Sequence, residues 1–352
     1  MKSQKMNKND KKCETNQTCP SCLKKGRKLK MTDVREKKYW IWLSLIPNLG
    51  SKKKQELLKL YENPEVIYHL EEKELLDVKG IGEKTIKNIL DKSIKDSVEK
   101  HMEYMIRNNI DIISIEEQEY PQILKEIYDP PISLYCKGDR SILNQKSIGI
   151  VGCREATEYG KSAAKYFGYH LSKRNINIVS GLAKGVDSYA HIGATCAQME
   201  ENTPQKRGNS PQANENNPQT SSYPHVDNFK DCGKTIAVLG NGLDMIYPKE
   251  NEFLAKKMIE KGGAILSEYP LGTKPDKMNF PARNRIISGM SQGILVVEAK
   301  EKSGTLITVD FALEQGRDVF IVPGNINSIH SVGTNRLIQQ GAKLVTHYSE
   351  IF

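Results

Sequence analysis

The sequence predicts an α/β protein: a Rossmann-like, doubly wound, mostly parallel sheet over residues 146–352, preceded by a small all-α helix-hairpin-helix (SAM-like) domain over residues 39–95. Three observations predict it. Short apolar runs recur at Ile148–Val151, Ile176–Val179, Thr235–Leu239, Ala264–Leu266, Ile294–Val297, Val319–Val322 and Lys343–Val345, most of them separated by helical segments. None alternates with a clean period of two, so they read as strands buried on both faces of a parallel sheet. Glycine-bearing turns follow several of these runs, as strand-to-helix loops require. Upstream, Ile46-Pro-Asn-Leu-Gly50-Ser and Val78-Lys-Gly80-Ile-Gly82-Glu form two tight hairpins, each followed by a helical stretch, Lys52–Tyr61 and Lys84–Leu90.

Taken in order, residues 1–38 hold 13 Lys/Arg against 4 Asp/Glu, whereas residues 39–352 hold 39 of each, so the whole formal charge of +9 is a tail. Poor in aromatics and rich in Lys, Asn and Gln, the tail is expected to be disordered and to add sequence-independent attraction to polyanions. Cys19-Pro-Ser-Cys22 with Cys13 supplies three thiols of a zinc site, but no fourth ligand follows at zinc spacing, and no metal is expected. Seven scattered cysteines, an odd number, argue against a disulfide framework. With no apolar signal-peptide core and no long apolar window, the reading is a cytoplasmic protein without a membrane span.

The hairpin glycines turn the backbone sharply and present amides at a helix N-terminus, where a phosphate can sit. The second hairpin is the better match, and the first is degenerate. Residues 96–145 read as a connector, with Tyr120-Pro121 and Asp129-Pro130-Pro131 holding the residue before each proline extended. The main domain follows, interrupted at 199–231 by a Pro-, Asn-, Gln- and Ser-rich stretch nearly free of apolar side chains, the composition of a disordered surface insertion.

A parallel sheet puts its strand-to-helix loops on one edge, where ligands bind. Five loops gather there: Gly152-Cys153-Arg154, Ser180-Gly181-Leu-Ala-Lys184-Gly185, Gly240-Asn-Gly242, Lys302-Ser-Gly304-Thr305 and Pro323-Gly324-Asn325. Glycines at 152, 181, 185, 240 and 304 can bring backbone amides to an anion, and the first two loops add a cation. No complete G-x-G-x-x-G follows the first strand and no acid stands at a ribose position, so no dinucleotide or other cofactor is expected. The stretch Phe280-Pro-Ala-Arg283-Asn284-Arg285-Ile-Ile-Ser-Gly289 places an aromatic ring beside two guanidinium forks. That composition suits stacking on bases and bidentate contact with phosphates. A plainer alternative pairs Arg283 and Arg285 with structural carboxylates such as Glu268.

From Trp40 to Phe352 the sequence resembles the DNA-processing protein A (DprA/Smf) family of recombination mediators. The resemblance rests on I-G-I-V-G-C-R-E-A-T-x-Y-G at 148–160, V-S-G-L-A-K-G-V-D-x-x-A-H at 179–191, A-V-L-G-N-G-L-D-x-x-Y-P at 237–248, N-F-P-A-R-N-R-I-I-S-G at 279–289 and S-G-T-L-I-T-x-x-F-A-L-E-Q-G-R-x-V-F-x-V-P-G at 303–324. It implies single-stranded-DNA contacts at Arg154, Lys184, Lys277, Phe280, Arg283, Asn284 and Arg285. It also implies a homodimer that coexists with single-strand-binding protein and loads the RecA recombinase during natural transformation. Cys153 departs from the Ser or Thr usual in the family, and the chain resembles a short form without the C-terminal winged-helix domain of many members. The rival reading is an enzyme, a Rossmann phosphoribohydrolase acting on nucleotides. That motif needs a glutamate three residues after the loop threonine, where this chain has Thr308, and a hydroxyl cannot act as the carboxylate acid or base. Asp187, Asp244, Glu268, Glu298 and Asp310 are expected to cap helices, bond loop amides or pair with arginines, and His191 to pack.

Overall fold

A computed structural model describes residues 37–78, 80–196 and 233–351. The expectations for the basic tail through residue 36, for Cys13, Cys19 and Cys22 and for the insertion at 199–231 lie outside the described residues.

The N-terminal unit is built from α1 (Lys38–Leu45), α2 (Ser51–Tyr61), α3 (Pro64–His69), α4 (Glu72–Leu76), α5 (Glu83–Leu90) and α6 (Lys92–Asn108). Its boundaries follow local chemistry. Asn63 caps α3 by accepting the Glu65 amide at 2.8 Å with Pro64 at the first position, and Glu71 and Glu74 form a capping box on α4. Asp91 caps α6, and Asn109, at φ 53°, ends it in the left-handed conformation. Trp42, Leu57, Ile67, Leu75 and Ile89 are buried in a core that continues through Leu182, Ala237, Leu239 and Ala255 of the sheet domain.

The expected boundary at 95 falls inside α6, and the stretch read as a connector holds the rest of that helix and a pair of strands. β1 (Ile110–Ser114) and β2 (Ser133–Gly138) pair antiparallel, with α7 (Gln122–Lys125) and all three prolines in the link between them. The prolines mark the link, while the short apolar runs on either side carry the strand signal.

The seven strands expected from the apolar runs are all present: β3 (Ser147–Val151), β4 (Asn177–Ser180), β5 (Thr235–Leu239), β6 (Ala264–Ser267), β7 (Gly293–Val296), β8 (Asp318–Ile321) and β9 (Lys343–Leu344). Neighbouring pairs among them are all parallel, and β2 joins β6 antiparallel, giving one sheet in the order β1-β2-β6-β5-β4-β3-β7-β8-β9. From β3 the chain winds outward through β4, β5 and β6, then returns to the other side of β3 at β7. That reversal is the switch point of a doubly wound sheet, and the crevices at the C-terminal strand ends beside it are where such folds bind ligands.

Helices cover both faces. On one, α8 (Glu158–Ser172) and α9 (Val186–Thr195) approach closely because Gly168 faces the Ala190 carbonyl and Gly193 the Lys165 carbonyl. On the other, α11 (Asn279–Gly289) and α12 (Gly304–Glu314) place Ile286, Ile287, Val309 and Ala312 against the strands. α10 (Glu252–Glu260) lies between β5 and β6 in sequence, and α13 (Val332–Gln339) between β8 and β9.

Candidate nucleic-acid interface

The first two loops at the sheet edge lock onto each other. The Val186 amide donates to the Cys153 carbonyl at 3.1 Å, and the Cys153 amide to the Glu298 carbonyl at 2.9 Å. A Cβ on Gly152 would lie 2.6 Å from Val186, and one on Gly185, at φ +77°, 2.2 Å from the Cys153 carbonyl oxygen. Within the second loop, Asp187 Oδ2 accepts the amides of Gly181 (3.1 Å) and Ala183 (3.4 Å). A carboxylate of the protein thus sits where the sequence reading put a phosphate. Close packing explains Gly152, Gly181, Gly185 and Gly240, whereas Gly304 stands in open space at an α12 N-terminus that Ser303 caps.

α11 distributes its residues by helical geometry. Residues 100° apart per step put Arg283 and Arg285 on nearly opposite sides and Phe280 and Arg283 on one. Arg283 is 4% exposed; its guanidinium donates to the Gly181 carbonyl at 2.9 Å and to the Val238 carbonyl, and its Nε to Asn284 Oδ1 at 3.3 Å. Burial pulls its pKa down to about 10, opposed by the attraction of Asp187, and Arg154 adds a smaller repulsion. It remains a cation at neutral pH, fixed beneath the second and third loops. Burial likewise pushes the Asp187 carboxyl up, against the pull of Arg283.

Arg285 turns the other way. It grips Glu268 with two donors at 2.9 and 2.7 Å and Asp129 with Nε at 2.9 Å, and its side chain is 7% exposed. Burial opposes its charge, but Glu268 and Asp129 outweigh that and raise its pKa. The first turn of α2 joins the cluster: Ser51 Oγ lies 3.4 Å from both Glu268 Oε2 and Arg285. So the first hairpin presents its helix N-terminus to Glu268 of its own chain. In both hairpins the glycines are open: nothing lies within 4 Å of a Cβ built on Gly50, Gly80 or Gly82.

The outward face gathers the remaining predicted residues. Arg154, Lys184 and Lys277 are exposed, and Phe280 and Asn284 are half-buried. The Arg154 guanidinium lies 5.3 Å from the Phe280 ring centre, and a Cβ on Gly240 would meet that ring at 2.9 Å. Lys184 Nζ is 2.6 Å from Glu250 Oε1. Sequence reasoning missed Tyr247, whose ring stacks on Phe280 at 5.7 Å and 25°, and Glu250. The Tyr-Pro that follows Asn241-Gly-Leu-Asp was the available signal.

The edge acids are structural. Glu298, 1% exposed, accepts from the Thr157 amide at 3.0 Å and hydroxyl at 2.5 Å, and Asp244 accepts the Gly272 amide at 2.9 Å. His191 is fully buried with Nδ1 2.7 Å from the Thr235 hydroxyl, and burial lowers its pKa to about 3. Among the described residues no three His, Cys, Asp or Glu side chains are grouped to hold a metal ion.

This packing makes Gly181→Ala a sensitive test of the site's frame. The new methyl would lie 2.6 Å from the Arg283 guanidinium, which the Gly181 and Val238 carbonyls hold through one nitrogen. Overpacking of this kind costs about 1–3 kcal/mol. A lower urea midpoint together with weaker strand binding is the expected result; an unchanged midpoint would mean that the loop yields freely.

The family model described as DNA recombination-mediator protein A matches residues 111–203 and 221–352. The DNA processing protein DprA of Bacillus subtilis is 41% identical over 244 residues, covering 69% of this chain and 70% of that protein. Protein Smf of Escherichia coli is 38% identical over 254 residues, covering 72% of this chain and 59% of that protein. The crystal structure of DNA processing protein A from Streptococcus pneumoniae matches with a TM-score of 0.68 and 33% identity over 89% of this chain and 96% of that one. That of the Helicobacter pylori protein, described for its single-stranded DNA binding mode, matches with a TM-score of 0.53 and 28% identity over 68% and 93% of the two chains.

Proposed function

The chain belongs to the DNA recombination-mediator protein A family, and from that premise we propose that it binds single-stranded DNA along the loop edge of its sheet and hands it to the RecA recombinase. The observation that carries the reading is the group of exposed Arg154 and Lys184 with half-buried Phe280, the Arg154 guanidinium lying over the ring, mounted on a frame held by buried Arg283. Guanidinium and ammonium groups neutralise phosphates whatever the sequence, and a ring accepts any base. Lys277 is exposed three residues before Phe280, and Asn284 follows Phe280 by about one helical turn. Arg283 and Arg285 act from behind it, as supports.

A cationic edge with a stacking ring and with its carboxylates engaged in structural bonds binds without turning its ligand over. The reading therefore is a mediator and not an enzyme. It is a cytoplasmic homodimer that protects incoming strands during natural transformation and works alongside single-strand-binding protein. No helix among the described residues is long and apolar enough to cross a membrane. The open second hairpin adds a secondary DNA contact.

Two measurements on one preparation test this. A fluorescent dT oligomer should bind more tightly than matched duplex, and the protein should accelerate RecA filament formation on strands precoated with single-strand-binding protein without hydrolysing ATP itself. Equal affinity for duplex would remove the single-strand assignment. Slower filament formation at every concentration would replace loading with simple strand protection.

A further inference from the structure

Phe280 is half-buried, wedged between Gly240 and the ring of Tyr247, whereas Tyr247 is 45% exposed. The two rings are 5.7 Å apart at 25°, too close for a base to enter between them. Beyond Tyr247 opens a groove of about 880 Å³ whose wall shares Lys184 and Tyr247 with the site already described. Its lining also holds Tyr104, 37% exposed, near the end of α6 that leads into edge strand β1 and so three strands along the sheet from β5, together with buried Ile110, Leu243 and Ile265.

We infer that Tyr247 is the outward stacking ring of the site, Phe280 its backing, and that a bound strand runs on over Tyr247 into this groove toward Tyr104. The inference rests on the proposed single-strand binding. The occupant is the continuing strand because the groove begins at a cation and a ring of that site and ends at another exposed ring. A pocket of several hundred Å³ suits aromatic ligands of base size or larger.

The charges say how the strand lies. Lys137, Lys184, Lys249 and Lys256 are matched by Asp244, Glu250, Glu252 and Glu260, and two of these pairs are joined directly, at 2.6 and 3.5 Å. A groove without net charge adds little counterion release, so it takes base faces and leaves the phosphates toward solvent and toward Arg154. Affinity gained there should be insensitive to salt.

The test is the affinity of short and long dT oligomers over a range of salt for Tyr247→Ala, Tyr247→Phe and Tyr104→Ala, with urea midpoints for each. Loss of one base stack predicts about a 5- to 150-fold weaker Tyr247→Ala at an unchanged salt slope, with Tyr247→Phe close to wild type. Tyr104→Ala should weaken long oligomers and spare short ones. If wild type binds dT while Tyr247→Ala and Tyr104→Ala bind equally well at every length, the groove is not the path and the single-strand reading stands. The path is equally overturned if Tyr247→Ala shallows the salt slope, since the ring would then be positioning cations. Failure of wild type to bind dT at all removes the proposed function itself.

Discussion

Replacing Arg285 by Gln should cost about 3–5 kcal/mol of stability, the cost of removing one partner from a buried ion pair, read as a sharply lower urea midpoint at constant m-value. Its side chain is 7% exposed and that of Glu268 11%, so the carboxylate left behind keeps its desolvation without its counter-charge. Asp129, at 38%, is wetter and contributes less. The loss should spread, because the cluster ties α11 to the end of β6, to the segment at 129 and, through Ser51, to α2. Glu268→Gln in the same chain should recover part of the loss, since neither polar group would then face an unpaired charge. Denaturation midpoints of the two single variants and the double variant check this. An Arg285→Gln protein of normal midpoint that fails to bind dT would return Arg285 to the DNA-contacting set.

The sequence allows Arg285 two roles, a phosphate contact or a pairing with a carboxylate such as Glu268, and the structure shows the pairing, at 2.7 Å. Seven apolar runs are enough to read the parallel strands, because burial on both faces leaves no room for polar interruption, and the glycine turns place their loops on one edge. The antiparallel pair β1 and β2 is less legible, since the prolines between the two strands dominate the pattern. Composition also could not divide the work among Phe280, Arg283 and Arg285. The division depends on which way each side chain leaves α11, and on which carbonyls and carboxylates wait there. The 100° step separates the two arginines only once the stretch is known to be a helix. The glycines at 152, 181, 185 and 240 also mark a close approach of backbone, and here the approaching groups are Val186, the Arg283 guanidinium, the Cys153 carbonyl and Phe280. The Tyr-Pro after Asn241-Gly-Leu-Asp marks Tyr247 in the sequence, but its partner ring lies in a different motif, so only the fold joins the two.

The second large effect is on binding. The double variant Arg154→Gln, Lys184→Gln should bind dT about 25-fold more weakly than wild type near 0.1 M salt, with the slope of log affinity against log salt shallower by ~1.4, or ~0.7 for each phosphate no longer neutralised. The two curves should converge toward molar salt, where counterion release no longer favours binding. The contributions of the two cations should be unequal. Arg154 is exposed, and the contact that identifies it lies over the Phe280 ring, so a phosphate can approach it without displacing an anion. Lys184 is joined to Glu250 at 2.6 Å, with side-chain exposures of 58% and 64%, and the ammonium holds the Glu250 carboxyl below its usual range. A phosphate must displace that carboxylate, so Lys184→Gln should cost less than Arg154→Gln. Glu250→Gln should strengthen binding in every strand sequence alike, since it frees the lysine and removes a like charge from the strand's path. Fluorescence anisotropy across a salt series reads all four variants at once. Equal slopes for wild type and double variant would mean that neither cation meets a phosphate, and weaker binding by Glu250→Gln would make the Lys184–Glu250 pair a support of the loop.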